Sequence, residues 1–243
     1  QPSPYPKDSV TAFRALADSV HKEGGKIFGE LWYWWGMTGS WQPYSPPSPS
    51  LSASAAMYGH NERTAFSTHA MNKEEIRAMT EVLKQSCRNL REAGYDGVMF
   101  HASHGGMAEQ FFSPYFNRRT DEYGGSLDNR TRFLVESLTA AREAMGDKMA
   151  LGIRLNCDEM VSGGYDTKVA GALVKRLADA KLVDYVDLDV AIEPNQTDYG
   201  MPPVFMKRQV YRPFVEAVRA VAGKLPVMSV LGRVTSVAEA EEA

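Results

Sequence analysis

The sequence predicts an α/β protein, a parallel sheet with helical cover that closes as a (β/α)8 TIM barrel of which only part is present. Three observations predict it. Apolar runs of strand length alternate with amphipathic helical segments along the chain. Five such strands are visible, and every one ends in charged, polar or glycine residues, as in barrels whose chemistry gathers at the C-terminal strand ends. The 243 residues approach the ~250 of a full barrel, yet the series opens on a helix with no strand before it and stops inside another helix. The chain therefore looks like a barrel missing pieces at both ends. An open doubly wound sheet is the competing closure. One partial barrel domain is expected over 1–243, with no internal repeat and no linker.

The elements follow from periodicity and punctuation. A first helix fits Asp8 to Glu23, with Val10, Phe13, Leu16, Ala17 and Val20 on one face and Gly24-Gly25 as its stop. An apolar strand runs from Lys26 to about Leu31. From about Met37 to Ala70 the chain is polar, with Pro43, Pro46, Pro47, Pro49 and four serines between Ser45 and Ser52. At about 34 residues it is too long for an idle loop and reads as a lid, a binding loop or a disordered stretch. The next helix starts at Asn72 with Glu75 three residues on, a capping box. Ile76, Met79, Leu83, Cys87 and Leu90 keep its helical spacing and Gly94 ends it, so Cys87 reads as core. Strand 97–101 follows, then a helix from about Asp128 to Met145 with Phe133, Leu134, Leu138 and Ala141 inward. Strand 150–155, helix 167–180, strand 185–190, a helix near 209–222, strand 226–231 and the start of a helix at 236–243 complete the series.

Composition bounds the function. Hydrophobic residues are 44% and charged residues 23%, a globular balance that excludes disorder for most of the chain. The formal charge of −3 offers no basic surface for nucleic acid or an anionic membrane. No apolar run approaches the ~20 residues of a membrane span. The opening Gln-Pro-Ser-Pro-Tyr-Pro lacks the features of a signal peptide and also lacks a Met, so a native N-terminus is not expected there. Cys87 and Cys157 form neither a disulfide framework nor a CxxC pair, and reduced thiols fit a cytoplasmic protein.

The strand ends carry the candidate chemistry. The first visible strand runs into Glu30, Trp32, Tyr33 and Trp35; the second into His101 and His104; the third ends at Arg154 and Asn156. The fourth carries Asp187 and Asp189, and the fifth ends at Gly232 and Arg233. His101 and His104 could offer a metal two nitrogens, but no third ligand has a recognisable spacing, so two polar loop histidines bonded to backbone are the favoured reading of the pair taken alone. Arg154 needs an anionic or electron-rich partner; a structural ion pair with Glu30 or Asp189 is the alternative. The Gly232–Arg233 turn before a helix can hold phosphate or be an ordinary turn. All four tryptophans, Trp32, Trp34, Trp35 and Trp41, fall within ten residues. They form either a plug over the barrel mouth or an aromatic wall for a flat ring or a cation, each contact worth ~0.5–2 kcal/mol.

Two runs then carry a resemblance. FHASHGGMAEQFFSP at 100–114 and NRRTDEYGGSLDNRTRF at 117–133 closely resemble the signature of the old yellow enzyme family of FMN-dependent barrel oxidoreductases. GELWY at 29–33, GIRL at 152–155 and Gly232-Arg233 match the third, fifth and seventh barrel strands, and Glu30 in its Glu-Leu-Trp-Tyr setting resembles the trimethylamine dehydrogenase branch. The resemblance implies that barrel strands 1, 2 and 8 are missing from this fragment. It also implies FMN, with Glu30 and Arg154 at the flavin pyrimidine, Gly232 and Arg233 at its phosphate, and His101 and His104 above the ring. A tyrosine common in relatives, two residues after the second histidine, is replaced by Gly106, which removes a proton donor; Tyr33 or Tyr199 could substitute. The charged residues of 117–133 are expected to fix loop and helix by ion pairs.

Two activities compete. One is oxidation of an N-methylated or other substituted amine, with Trp32, Tyr33, Trp35, Asp198 and Tyr199 around a cationic substrate. The other is NAD(P)H-fed reduction of an enone, nitroalkene or enoyl thioester, with His101 and His104 on the electron-withdrawing group. A flavin-free binding or scaffold barrel is the third reading. An iron–sulfur cluster and a second nucleotide cofactor would belong to sequence beyond Ala243. The expected partner is a small molecule, with no nucleic acid and no membrane, in a homo-oligomer.

Overall fold

The computed structural model describes residues 4–32, 50–55, 57–59, 65–192 and 202–242. A 3-10 turn (Lys7–Ser9) leads into α1 (Val10–Lys22), followed by β1 (Phe28–Leu31). Three short strands come next, β2 (Ser50–Ser52), β3 (Met57–Gly59) and β4 (Ala65–Ala70), then α2 (Lys73–Glu92) and β5 (Gly97–Ala102). Helices α3 (Met107–Phe112), α4 (Leu127–Arg130) and α5 (Arg132–Met145) precede β6 (Ala150–Asn156). The chain continues through α6 (Thr167–Asp179), β7 (Tyr185–Asp189), α7 (Arg212–Arg219), β8 (Val227–Ser229) and α8 (Val237–Glu241).

Five strands form one parallel sheet in the order β1-β5-β6-β7-β8, each paired with the next in sequence among them. The strand period of two sorts its residues. Val98, Phe100, Ala102, Leu151, Ile153, Leu155, Val186 and Leu188 are buried in one core with inward residues of α2, α5 and α6. The alternate residues point to the other face, where Phe28 and Met228 stay exposed, so helices cover one face only among the described residues. A doubly wound sheet would bury both faces. The uncovered face is concave. Phe28 on β1 and Tyr185 on β7 meet edge to face with centroids 5.8 Å apart, although three strand spacings of about 4.8 Å separate their strands. Gly97 and Gly152 make this possible, since a Cβ on either would lie 2.3 or 2.1 Å from the Phe28 or Tyr185 ring. These rings floor the lumen of a curled, barrel-type sheet.

Several local expectations hold. Asn72 accepts from the Glu74 and Glu75 amides while Glu75 accepts from the Asn72 amide, a complete capping box. α2 packs against α5, and Cys87 is in the core. Asp96 accepts from the Ile27 amide at 2.9 Å and pairs with His21 and Lys26, tying the end of α1 and the start of β1 to β5.

Other features differ. Leu16 is exposed, because it lies about 100° round the helix from Ala17, whose face packs inward. The predicted long loop contains a small sheet, β2-β4-β3, parallel on one side of β4 and antiparallel on the other. The helix expected from Asp128 is two helices, interrupted at Thr131, and α3 lies inside the stretch read only as a motif.

Candidate functional site

The same alternation that buries one sheet face delivers the polar residues to the other. Glu30, then Trp32 just past β1, His101, Arg154, Asp187 and Asp189 all project from the lumen side near the strand C-termini. His101, Arg154 and Asp187 sit in register across β5, β6 and β7. Four residues singled out from sequence are thus brought together, since Glu30, His101, His104 and Arg154 form one connected cluster.

Glu30 Oε1 lies 2.7 Å from His101 Nδ1 and 3.8 Å from Arg154 Nη1. Arg154 Nη2 donates to Asp189 Oδ2 at 2.7 Å, and the same oxygen is 3.1 Å from His104 Nε2. Asp187 Oδ2 stands 3.5 Å from Arg154 Nε. The Ser103 hydroxyl sits between the histidines, 3.2 Å from His101 Nε2 and 3.4 Å from His104 Nδ1. The Trp32 ring lies against His101 with centroids 4.4 Å apart.

The electrostatics divide these groups. The His101 hydrogen bond holds Glu30 below its ordinary value. Burial works against the Asp189 charge, but His104 and Arg154 overcome it and keep Asp189 low. Burial raises Asp187, only partly offset by Arg154, and the neighbouring Asp189 raises it further. Burial also pushes His101 down, against the pull of Glu30. For Arg154, burial is outweighed by Asp189, Asp187 and Glu30, which raise it. Three carboxyl groups surround one guanidinium.

The turn that carries the second histidine is held from beneath. His104 and Gly105 both take positive φ, 54° and 73°. The Gly105 amide donates to Glu109 Oε2 at 2.5 Å, and Gln110 donates to the Gly105 carbonyl at 2.5 Å. Glu109 Oε1 accepts from Asn156 at 2.8 Å and from the Tyr165 hydroxyl at 2.6 Å. Glu159 Oε2 accepts from Ser113 Oγ at 2.9 Å and from the Tyr165 amide at 2.8 Å. Both glutamates are fully buried. Burial raises Glu109 well above its ordinary value, with help from Glu159, and pushes Glu159 up to about 7. Sequence reasoning missed this layer; its one signal was a glutamate inside the apolar run Met107–Phe112.

Gly232 and Arg233 form a turn in which both residues have positive φ, 70° and 57°. A Cβ on Gly232 would lie 3.2 Å from the Tyr211 ring, and burial, with the charge of Asp189 behind it, raises that phenol. The Arg233 guanidinium donates to the Met206 carbonyl. Tyr33, Trp34, Trp35, Trp41, Asp198 and Tyr199 lie outside the described residues. In the 117–133 stretch, Arg119 pairs with Asp121 at 2.6 Å and donates to the Ala53 and Met71 carbonyls. Arg118, Arg130 and Arg132 donate to the carbonyls of Tyr115, Phe112 and Glu122. The stretch is structural, held more by carbonyl contacts than by the expected ion pairs.

A curled parallel sheet with helices on its convex face and one polar cluster at its strand C-termini defines a βα-barrel enzyme framework. The chain belongs to the NADH:flavin oxidoreductase / NADH oxidase family, whose profile matches residues 1–241. It is 35% identical over 155 residues to the N,N-dimethylglycine/sarcosine dehydrogenase of Chromohalobacter salexigens, covering 64% of this chain and 22% of that protein. It is 33% identical over 178 residues to 12-oxophytodienoate reductase 2 of Arabidopsis thaliana, covering 70% of this chain and 47% of that protein. The structure of histamine dehydrogenase from Rhizobium sp. 4-9 superposes with a TM-score of 0.80 at 27% identity, over 95% of this chain and 32% of that one. The chain therefore spans half or less of these relatives.

The residues present fit a flavin. Arg154 Nε is buried with no hydrogen-bond partner, a donor on the lumen face suited to an electron-rich ring edge.

Proposed function

We propose that the protein is an FMN-dependent oxidoreductase that oxidises an N-methylated or otherwise substituted amine. The observation that carries this reading is the charge of the cluster. Glu30, Asp187 and Asp189 surround the single guanidinium of Arg154, a field that favours a cationic ligand over an anionic one. The likeness to an enzyme named for dimethylglycine and sarcosine, and to one named for histamine, supports it.

Bound FMN would supply the two-electron acceptor for a hydride from the amine carbon. In this reading Glu30 and Arg154 hold the flavin pyrimidine, and Arg154 keeps a fixed positive charge where negative charge develops on reduction. Gly232 and Arg233 belong to its phosphate end. His101 and His104 face the substrate and handle its proton. Trp32 stands beside His101, and Tyr33, Trp35, Asp198 and Tyr199 are assigned to the amine pocket from the sequence alone, where an aromatic face would exclude water while attracting a cation.

The test is an anaerobic visible spectrum of the whole protein before and after addition of a panel of N-methylated amines. Bleaching of a flavin band near about 450 nm by an amine alone is the expected result. A second reading, NAD(P)H-fed reduction of an activated alkene, is favoured by the 33% identity to 12-oxophytodienoate reductase 2. A band that ignores amines and bleaches with NADH or NADPH would replace the first reading by this one. A protein with no flavin band would refute both.

A further inference from the structure

We infer that Ser103 joins His101 and His104 into a single acid–base unit that shares one transferable proton. The outer nitrogen of each ring faces a carboxylate, His101 Nδ1 toward Glu30 at 2.7 Å and His104 Nε2 toward Asp189 at 3.1 Å. Both carboxylates are held in the ionised form by these contacts and by Arg154, and an ionised carboxylate only accepts. Each outer nitrogen therefore carries a hydrogen. With both rings neutral, both inner nitrogens are acceptors, and both point at the same hydroxyl.

Ser103 has one proton to give and is fully buried, so no bulk water relieves the shortage. It donates to one ring and turns a lone pair toward the other. One added proton on either inner nitrogen removes the conflict. The charged ring then donates to Ser103 Oγ, and Ser103 donates to the neutral ring. The two loaded arrangements interconvert by moving protons along the three groups. In the loaded form Arg154 balances one of the two histidine-paired carboxylates and the imidazolium balances the other, against the burial that disfavours a charge on His101. Among the described residues Asp187, beside Arg154 Nε, is the remaining carboxyl facing the cluster, and the Trp32 ring against His101 tolerates a cation. Gly106 itself offers the pair no side-chain donor.

On the proposed amine reading, on which the proton's source rests, the unloaded unit accepts the N–H proton of the substrate ammonium. That N–H bond breaks, a ring N–H bond forms, and the neutral amine left behind is the form that can surrender hydride to the flavin. Ser103 is a positioning residue in this scheme, acting through the two rings.

The test is a pH titration of the histidine ring signals by NMR in the whole protein, wild type against Ser103→Ala, with His101 and His104 assigned from single variants. Wild type should show the His101 signal moving in two steps, about one pH unit or more apart, as for a strongly coupled pair. Ser103→Ala leaves the ring centroids 5.3 Å apart but removes the shared proton path, so it should narrow the separation between the two His101 steps and move the acidic limb of the kcat/KM profile by about one pH unit. A single His101 midpoint in wild type, or an unchanged separation between its two steps in Ser103→Ala, would overturn the inference. His104→Gln provides a second arm if Ser103→Ala fails to fold, because the His101 signal should become single-step, and a two-step curve there would also overturn it. The ring titrations need no flavin, so loss of the amine reading and loss of this inference are separately visible.

Discussion

Replacing Glu159 with Gln should stabilise the protein at pH 8 and leave it nearly unchanged at pH 4.5. Glu159 is fully buried, with one oxygen accepting from Ser113 and the Tyr165 amide and the other without a hydrogen-bond partner. Burial lifts its carboxyl from the ordinary 4.5 to about 7. In the unfolded chain the same group ionises near 4.5. Between these values the folded protein keeps a proton that the unfolded chain loses. The unfolded state is therefore increasingly favoured as pH rises, and the loss levels off above about pH 7. A separation of this size corresponds to about 3 kcal/mol at most. Glutamine presents the same carbonyl to Ser113 and Tyr165 and has no proton to keep, so it escapes the penalty. It also removes a charge that raises Glu109, which acts in the same direction. Urea midpoints at pH 4.5 and pH 8 measure the difference. A variant equally stabilised at both pH values, or destabilised at pH 8, would refute the account, because a packing change alone has no pH dependence.

Gly152→Ala should cost about 1–3 kcal/mol, read as a lower urea midpoint, because its Cβ would lie 2.1 Å from the Tyr185 ring that already abuts Phe28; an unchanged midpoint would show that the lumen floor can yield. The two thiols should resist a thiol reagent at pH 8 in the folded protein and both react in urea, since burial pushes Cys87 up to about 12 and raises Cys157 as well; native labelling of either would contradict their core placement.

Much of this arrangement was legible along the chain. The helical spacing of Ile76, Leu83, Cys87 and Leu90 and the Asn72–Glu75 capping box are local signals, and local signals survive folding. The strand ends at Glu30, His101 and Arg154 were legible because a strand's period of two and a barrel's polar C-terminal rim constrain one another. The small helix α3 was not, because its six residues are apolar except for Glu109 and Gln110 and no periodicity can be read over so short a span. The small sheet β2-β4-β3 was hidden for a similar reason, since strands of three residues inside a proline- and serine-rich stretch have no pattern of their own.

The sequence by itself determined the order of helices and strands, the parallel barrel-type class and the residue types that meet at one rim. It did so because backbone periodicity and capping act over a few residues. Tertiary structure alone decided which charges pair. Arg154 meets Asp189 across 35 positions, Glu109 meets Tyr165 across 56, and Ser103 bridges two rings only because the turn at His104 and Gly105 folds back on itself. The reason is physical: a hydrogen bond depends on distances of a few tenths of an ångström, and those are set by how sheet and helices pack, not by spacing along the chain.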